Sequence, residues 1–169
     1  DLMLGLPGQT LEQVEASLDF CAALSPRHMS CYGLILEEGT KLESRVSRGE
    51  VILPPPEEER AQYDLCREYL LRLGMRQYEI SNFALPGREC RHNVNCWRRQ
   101  DYLGFGCAAH SLWREQRRAN PRELDDYLNG KPPETEIISP EDARFEYMML
   151  GLRLTAGVEE ANFENRFGQ

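Results

Sequence analysis

No two cysteines in this chain have CxxC spacing, and no CxxxCxxC run is present. That absence excludes an iron–sulfur cluster held by one tight cysteine run, the usual way such clusters are bound. No apolar run approaches the roughly 18 residues of a membrane span, so no integral membrane segment is expected. A charged-then-apolar leader is also lacking, and the first residue, Asp1, already lies in an apparent strand. The expectation is a piece of a longer protein rather than a secreted precursor. Without a leader or a regular cysteine framework, Cys21, Cys31, Cys66, Cys90, Cys96 and Cys107 are expected to be free thiols in a reducing cytoplasm.

Excess positive charge is missing too. The net charge of −8 argues against a nucleic-acid surface spread over the molecule. The distribution is uneven, because residues 86–122 hold eight basic side chains against three acidic ones. Such a segment suits an anionic ligand or a solvated loop surface. A content of 41% hydrophobic and 28% charged residues is that of a globular domain, which 169 residues can supply with a core.

The opening pattern is strand, helix, strand. Residues 1–4 are apolar and end at Gly5 and Pro7-Gly8; Thr10 then caps a helix with Leu11, Val14, Leu18, Cys21 and Ala22 at helical spacing. Residues 28–36 form the next expected strand, and a parallel sheet with right-handed crossovers follows. A short helix is expected at 41–48. A longer one opens after the proline run 54–56 with Glu57-Glu58-Glu59 in its first turn and stops at Gly74. Residues 75–83 read as one strand, 86–95 as a loop and 107–113 as a strand. Short helices are expected at 122–128 and 158–167, and a longer one opens at Ser139-Pro140-Glu141. Pro132-Pro133 reads as a linker, which places a boundary between residues 1–131 and a mainly helical unit at 132–169.

The candidates for chemistry cluster in two blocks. Residues 77–84, Gln-Tyr-Glu-Ile-Ser-Asn-Phe-Ala, run into Pro86-Gly87-Arg88-Glu89-Cys90-Arg91-His92-Asn93, which delivers a histidine between an arginine and an asparagine. Imidazole suits zinc, iron, heme iron or acid–base work; equally, a loop histidine can have no role. Arg91 can meet a carboxylate bidentately, and Asn93 can hold the loop. Cys90, His92 and Cys96 make a C-x-H-x3-C pattern, but a closed zinc site needs four ligands and only distant Cys107 or His110 remain. Asp1 and the turn at residues 5–10 stand where α/β folds bind small molecules, at the carboxyl end of a strand. Gly104 and Gly106 either allow close backbone packing or leave room for a flat ligand, with packing the default.

As an ordered set these blocks resemble the HemW group, heme-chaperone relatives of the oxygen-independent coproporphyrinogen III oxidases within the radical S-adenosylmethionine (SAM) proteins. The residues that carry the resemblance are 1–10 (Asp-Leu-Met-Leu-Gly-Leu-Pro-Gly-Gln-Thr), Glu37-Glu38-Gly39-Thr40, the 78–84 block, Arg91-His92-Asn93, Asp101-Tyr102-Leu103-Gly104, Ala109-His110-Ser111, and 149–154 with Gly157-Val158. The resemblance implies an α/β fold: the C-terminal half of a radical-SAM partial (β/α) barrel, followed by the start of a helical domain. It also implies heme as ligand, with His92 contacting the heme iron beside Arg91 and Asn93, and Asp1 as the SAM-binding aspartate. A [4Fe-4S] cluster and SAM are implied for the full-length protein, whose cluster-binding cysteines would lie upstream. This chain alone is then expected to be inactive in SAM cleavage. A heme-accepting protein is the implied partner. Two rivals remain: an oxidase that decarboxylates coproporphyrinogen III, and a scaffold in which His92 and the glycines only pack. Where the group usually has an aromatic residue this chain has Cys96, so either the pocket is altered or the thiol is a second iron contact. Cys107, where a small residue is usual, reads as a packing change.

Overall fold

A computed structural model describes residues 1–168. They divide into two compact units, Asp1–Glu89 and Cys90–Gln169.

In the first unit, β1 (Leu2–Leu4) leads to α1 (Leu11–Ala23), β2 (His28–Gly33), α2 (Lys41–Ser47), α3 (Pro56–Arg72), β3 (Arg76–Gln77) and β4 (Asn82–Ala84). Thr10 caps α1 as its position implied, accepting from the Gln13 amide while the Gln13 side chain accepts from the Thr10 amide. Thr40 caps α2 in the same way through the Glu43 amide. Three glutamates fill the first turn of α3, at the positive end of its dipole. Leu4, Val14, Leu18, Met29, Cys31, Cys66, Leu70, Met75 and Phe83 form the core, where α1 and α3 pack together and α3 lies on β1 and β2. Cys31 and Cys66 meet thiol to thiol inside it; that contact and burial push the Cys31 thiol far above its ordinary range.

The sheet order is β1-β2-β4-β3. Only β1 and β2 run parallel; β4 is antiparallel to both β2 and β3, so the expected all-parallel sheet is corrected to a mixed one. The expected single strand at 75–83 is a hairpin. The fully buried Glu79 carboxylate accepts from the Ser81 amide at 3.0 Å and from the Asn82 side chain, and this turns the chain back. Once reversed, β4 can only run against β2.

In the second unit, α4 (Arg91–Trp97) precedes β5 (His110–Trp113), β6 (Gln116–Ala119), α5 (Leu124–Leu128), β7 (Glu134–Ile137), α6 (Pro140–Gly151) and α7 (Glu160–Phe167). β5, β6 and β7 form an antiparallel sheet in that order. Within residues 132–169, β7 precedes α6 and α7, and the two helices hold most of the described residues. Directly after Pro132-Pro133 the chain enters this sheet as β7, which begins at Glu134. The buried apolar core of the second unit is small, Leu112, Ile138 and Ala143 with Tyr102 and Phe167 against it. A charge network supplements that core. Arg99, 1% exposed, pairs with Glu146 at 2.8 Å, and Arg117 reaches the same carboxylate at 2.6 Å. Arg99 Nη1 also lies 2.7 Å from Glu115 Oε2, as an ion pair outside hydrogen-bond alignment.

Among the described residues no helix is long and apolar enough to cross a membrane.

Candidate functional site

His92 stands on a helix, which corrects the loop expected for residues 86–95. Cys90 is its N-cap in extended conformation without a side-chain cap bond, and Val94 N donates to Cys90 O at 3.0 Å to close the first turn. Helical geometry then decides which neighbours share the imidazole's face. Arg91 and Asn93 project about 100° to either side of it, whereas Cys96 lies one turn on, directly above. The structure thus separates the expected Arg-His-Asn constellation and substitutes a His–Cys pair: Cys96 Sγ is 3.7 Å from His92 Nε2.

His92 is exposed, and the ring of Tyr102 meets it edge-on with centroids 6.5 Å apart. Tyr102 is itself fixed by two backbone bonds with Leu112, at 2.8 and 3.0 Å. Next in the chain, Leu103 and Phe105 are 58% and 86% exposed, an apolar pair not used in the core. Behind the helix, Cys96, Trp97, Tyr102, Leu112, Met149 and Leu150 line a cavity of about 250 Å³ with the Arg99–Glu146–Arg117 network at its wall. Burial raises the Cys96 thiol above its ordinary value, and nearby Cys90 adds to the effect.

The second motif of the unit is a structural lock. Gly104 N donates to Ser111 Oγ at 3.0 Å, and a Cβ at residue 104 would overlap the His110 carbonyl. Packing thus accounts for Gly104, and His110 is exposed on β5. Gly151 serves a similar purpose, since a Cβ there would run into the Val158 side chain. Cys107 is exposed, so the packing role expected for it is corrected.

The basic segment, read as suited to an anionic ligand or a solvated surface, is partly consumed by ion pairs. Arg99 is buried, Arg117 is shared between Glu136 and Glu146, and Arg114 lies over the Trp113 ring at 5.6 Å. Arg91 is exposed and has no ion-pair partner among the described residues.

In the first unit, the 77–84 block is an internal network. Ser30 donates to Asn82 at 2.5 Å, Tyr63 to the Ile80 carbonyl at 2.8 Å, and His28 meets the Tyr78 hydroxyl at 2.8 Å. Burial lowers the His28 pKa, with Glu79 opposing the shift. Asp1 is exposed ahead of β1, and Gly5 N donates to the buried Gln62 at 2.8 Å. Among the described residues no three histidine, cysteine, aspartate or glutamate side chains are grouped to hold a metal ion.

A family profile described as "HemN C-terminal domain" matches residues 138–169. The heme chaperone HemW of Bacillus subtilis is 38% identical over 100% of this chain and 46% of its own length. The same protein of Synechocystis is 42% identical over 94% of this chain and 40% of its own, and that of Escherichia coli 33% over 96% and 44%. The chain spans less than half the length of these relatives. Among solved structures, the coproporphyrinogen III oxidase HemN of Escherichia coli, described as a radical SAM enzyme, matches with a TM-score of 0.77 at 18% identity. That match covers 100% of this chain and 43% of the other, and it carries the fold alone.

Proposed function

We propose that this chain, which belongs to the HemW family of radical SAM proteins related to HemN, is the heme-contacting C-terminal part of a heme-trafficking chaperone. The observation that carries the proposal is the His92 imidazole, exposed on α4 against the Tyr102 edge and not drawn into a core. A free imidazole is a good axial ligand for heme iron. Leu103 and Phe105 give a porphyrin face apolar surface to cover. Arg91 stands ready for a propionate, and half-buried Asn93 is the further residue assigned to the heme site.

The exposed site suits transfer. His92 would hold the iron from the exposed face of α4, where a heme-accepting protein could reach it. The setting is the cytoplasm. Residues 1–131 act as the end of the partial barrel with the segment after it, and residues 132–169 as the start of the helical C-terminal domain.

A [4Fe-4S] cluster and SAM belong to this reading for the whole protein. The donor set here does not fit a cluster, since no three ligands are grouped among the described residues. Asp1 is the residue assigned to SAM, where a carboxylate could accept from ribose hydroxyls, although it stands at the amino end of β1 and the Gly5 turn at the other.

A hemin titration of the whole protein, followed in the Soret band, tests the proposal. The wild-type protein is expected to give a saturable shift that His92→Ala loses. Unchanged binding by the variant would remove His92 from the site.

A further inference from the structure

The geometry points to a second ligand class at the same helix: His92 and Cys96 form a two-toothed clamp for a small thiophilic divalent cation of the zinc type, in competition with heme for the imidazole. The inference rests on the assignment of heme to His92 only for the competition, not for the clamp itself.

Distance is the first argument. A tetrahedral zinc ion holds nitrogen at about 2.0–2.1 Å and thiolate sulfur at about 2.3 Å, which places the two donors about 3.6 Å apart. His92 Nε2 and Cys96 Sγ are 3.7 Å apart. Little movement is needed to place one ion on both. Both donors lie on one face of one helix, an arrangement that suits a bare ion reached from a single side.

Attachment is the second. Positions four apart on a helix face the same way, and the backbone bonds of α4 hold them there. The Tyr102 ring stands edge-on beside the imidazole, with centroids 6.5 Å apart. Access is the third: His92 is exposed and Cys96 half-buried, which leaves the remaining two coordination positions to water.

Binding replaces the thiol proton. The cysteine S–H bond breaks, the sulfur lone pair forms the metal bond, and one proton passes to solvent, with no change of oxidation state. Zinc bound in this way occupies the Nε2 that heme iron would need, so it lowers apparent heme affinity by competition.

The test uses the whole protein, purified anaerobically and free of heme, titrated with Co²⁺ as a spectroscopic substitute for Zn²⁺. A thiolate-to-cobalt charge-transfer band is expected, displaced by Zn²⁺, with one proton released per ion. Cys96→Ser should lose the band and His92→Gln should weaken it, both with an unchanged far-ultraviolet circular dichroism spectrum. A band of equal size in Cys96→Ser, or none in the wild-type protein, would overturn the clamp. In the companion hemin titration, Zn²⁺ should raise the apparent Kd in the wild-type protein and not in Cys96→Ser. If hemin fails to bind while the cobalt band tracks both residues, the clamp stands and the heme reading falls. If hemin binding depends on His92 while the band ignores Cys96, the reverse holds.

Discussion

The backbone of Gly104 lies against the carbonyl of His110 so closely that a β-carbon has no room between them. The obstacle is main chain within a paired segment, held by the Tyr102–Leu112 bridge and the Gly104–Ser111 bond, and it cannot turn aside as a side chain would. Gly104→Ala is expected to destabilise the second unit by about 1–3 kcal/mol, the usual cost of overpacking. Ser111→Ala should cost about 1 kcal/mol for the lost bond. Urea unfolding of each variant measures both, and equal stability of Gly104→Ala and wild type would show that the strand can yield.

Arg99 is the charge on which the second unit depends. Its side chain is buried against Glu146 and Glu115, and its main-chain carbonyl accepts from Arg166 at 3.0 Å. Removing one member of a buried pair leaves the other charged and desolvated, so Arg99→Ala is expected to cost about 3–5 kcal/mol. Arg99→Met together with Glu146→Leu should restore part of that loss, because the double change strands no charge of the Arg99–Glu146 pair. A double-mutant cycle in denaturant provides the measurement.

Glu79 makes the corresponding prediction for the first unit. Its carboxylate accepts two bonds at the hairpin turn, and Asn82 passes the network on to Ser30. Glu79→Ala strands the Ser81 amide and the Asn82 side chain. A loss of about 1–3 kcal/mol is expected from the unsatisfied donors. Thermal unfolding would show it as a lowered midpoint, which Glu79→Gln should recover only in part.

Acid should weaken the first unit through His28. Burial lowers its pKa in the folded chain below the ordinary value of 6.5. Below that value the unfolded chain takes up a proton that the folded chain resists, so stability falls as pH drops from 6.5 toward the folded-state value. Above it both states are neutral and the contribution is flat. His28→Gln should flatten this slope in stability measured against pH, and an unchanged slope would assign the titration to another group. Glu146 acts on the second unit at lower pH. Burial alone would raise its pKa, but Arg117 and Arg99 outweigh that and lower it, so its contribution persists above the ordinary carboxylate range and is lost only in stronger acid.

The helices with polar caps were legible in the sequence. Thr10, Thr40 and Ser139 announce α1, α2 and α6, and each accepts from an amide of the first turn. Helix α4 was hidden because it has no such signal: a cysteine caps it without a side-chain bond, and Asn93, Val94 and Asn95 are poor helix formers. β6 and β7 were hidden for another reason. Gln116–Ala119 is polar, and Glu134–Ile137 is exposed throughout, so neither shows the alternation that marks a half-buried strand. The hairpin inside residues 75–83 depends on a glutamate folding onto its own next residues, which no period reveals.

The same difference governs the site. His92 stood out by its neighbours in sequence, Arg91 and Asn93, yet the helix gives it Cys96 and Tyr102 instead. Cys96 was already legible in the C-x-H-x3-C pattern, and the helical spacing of four explains why it, rather than Cys90, shares the imidazole's face. Tyr102, ten residues on, needs the fold.

The iron–ligand bond itself is the most direct test of the heme assignment. Resonance Raman spectra of the ferrous heme complex of the whole protein are predicted to show an iron–imidazole stretching band that shifts with ¹⁵N-histidine labelling and disappears in His92→Ala. A labelled band that persists in His92→Ala, or a wild-type spectrum without one, would contradict the account.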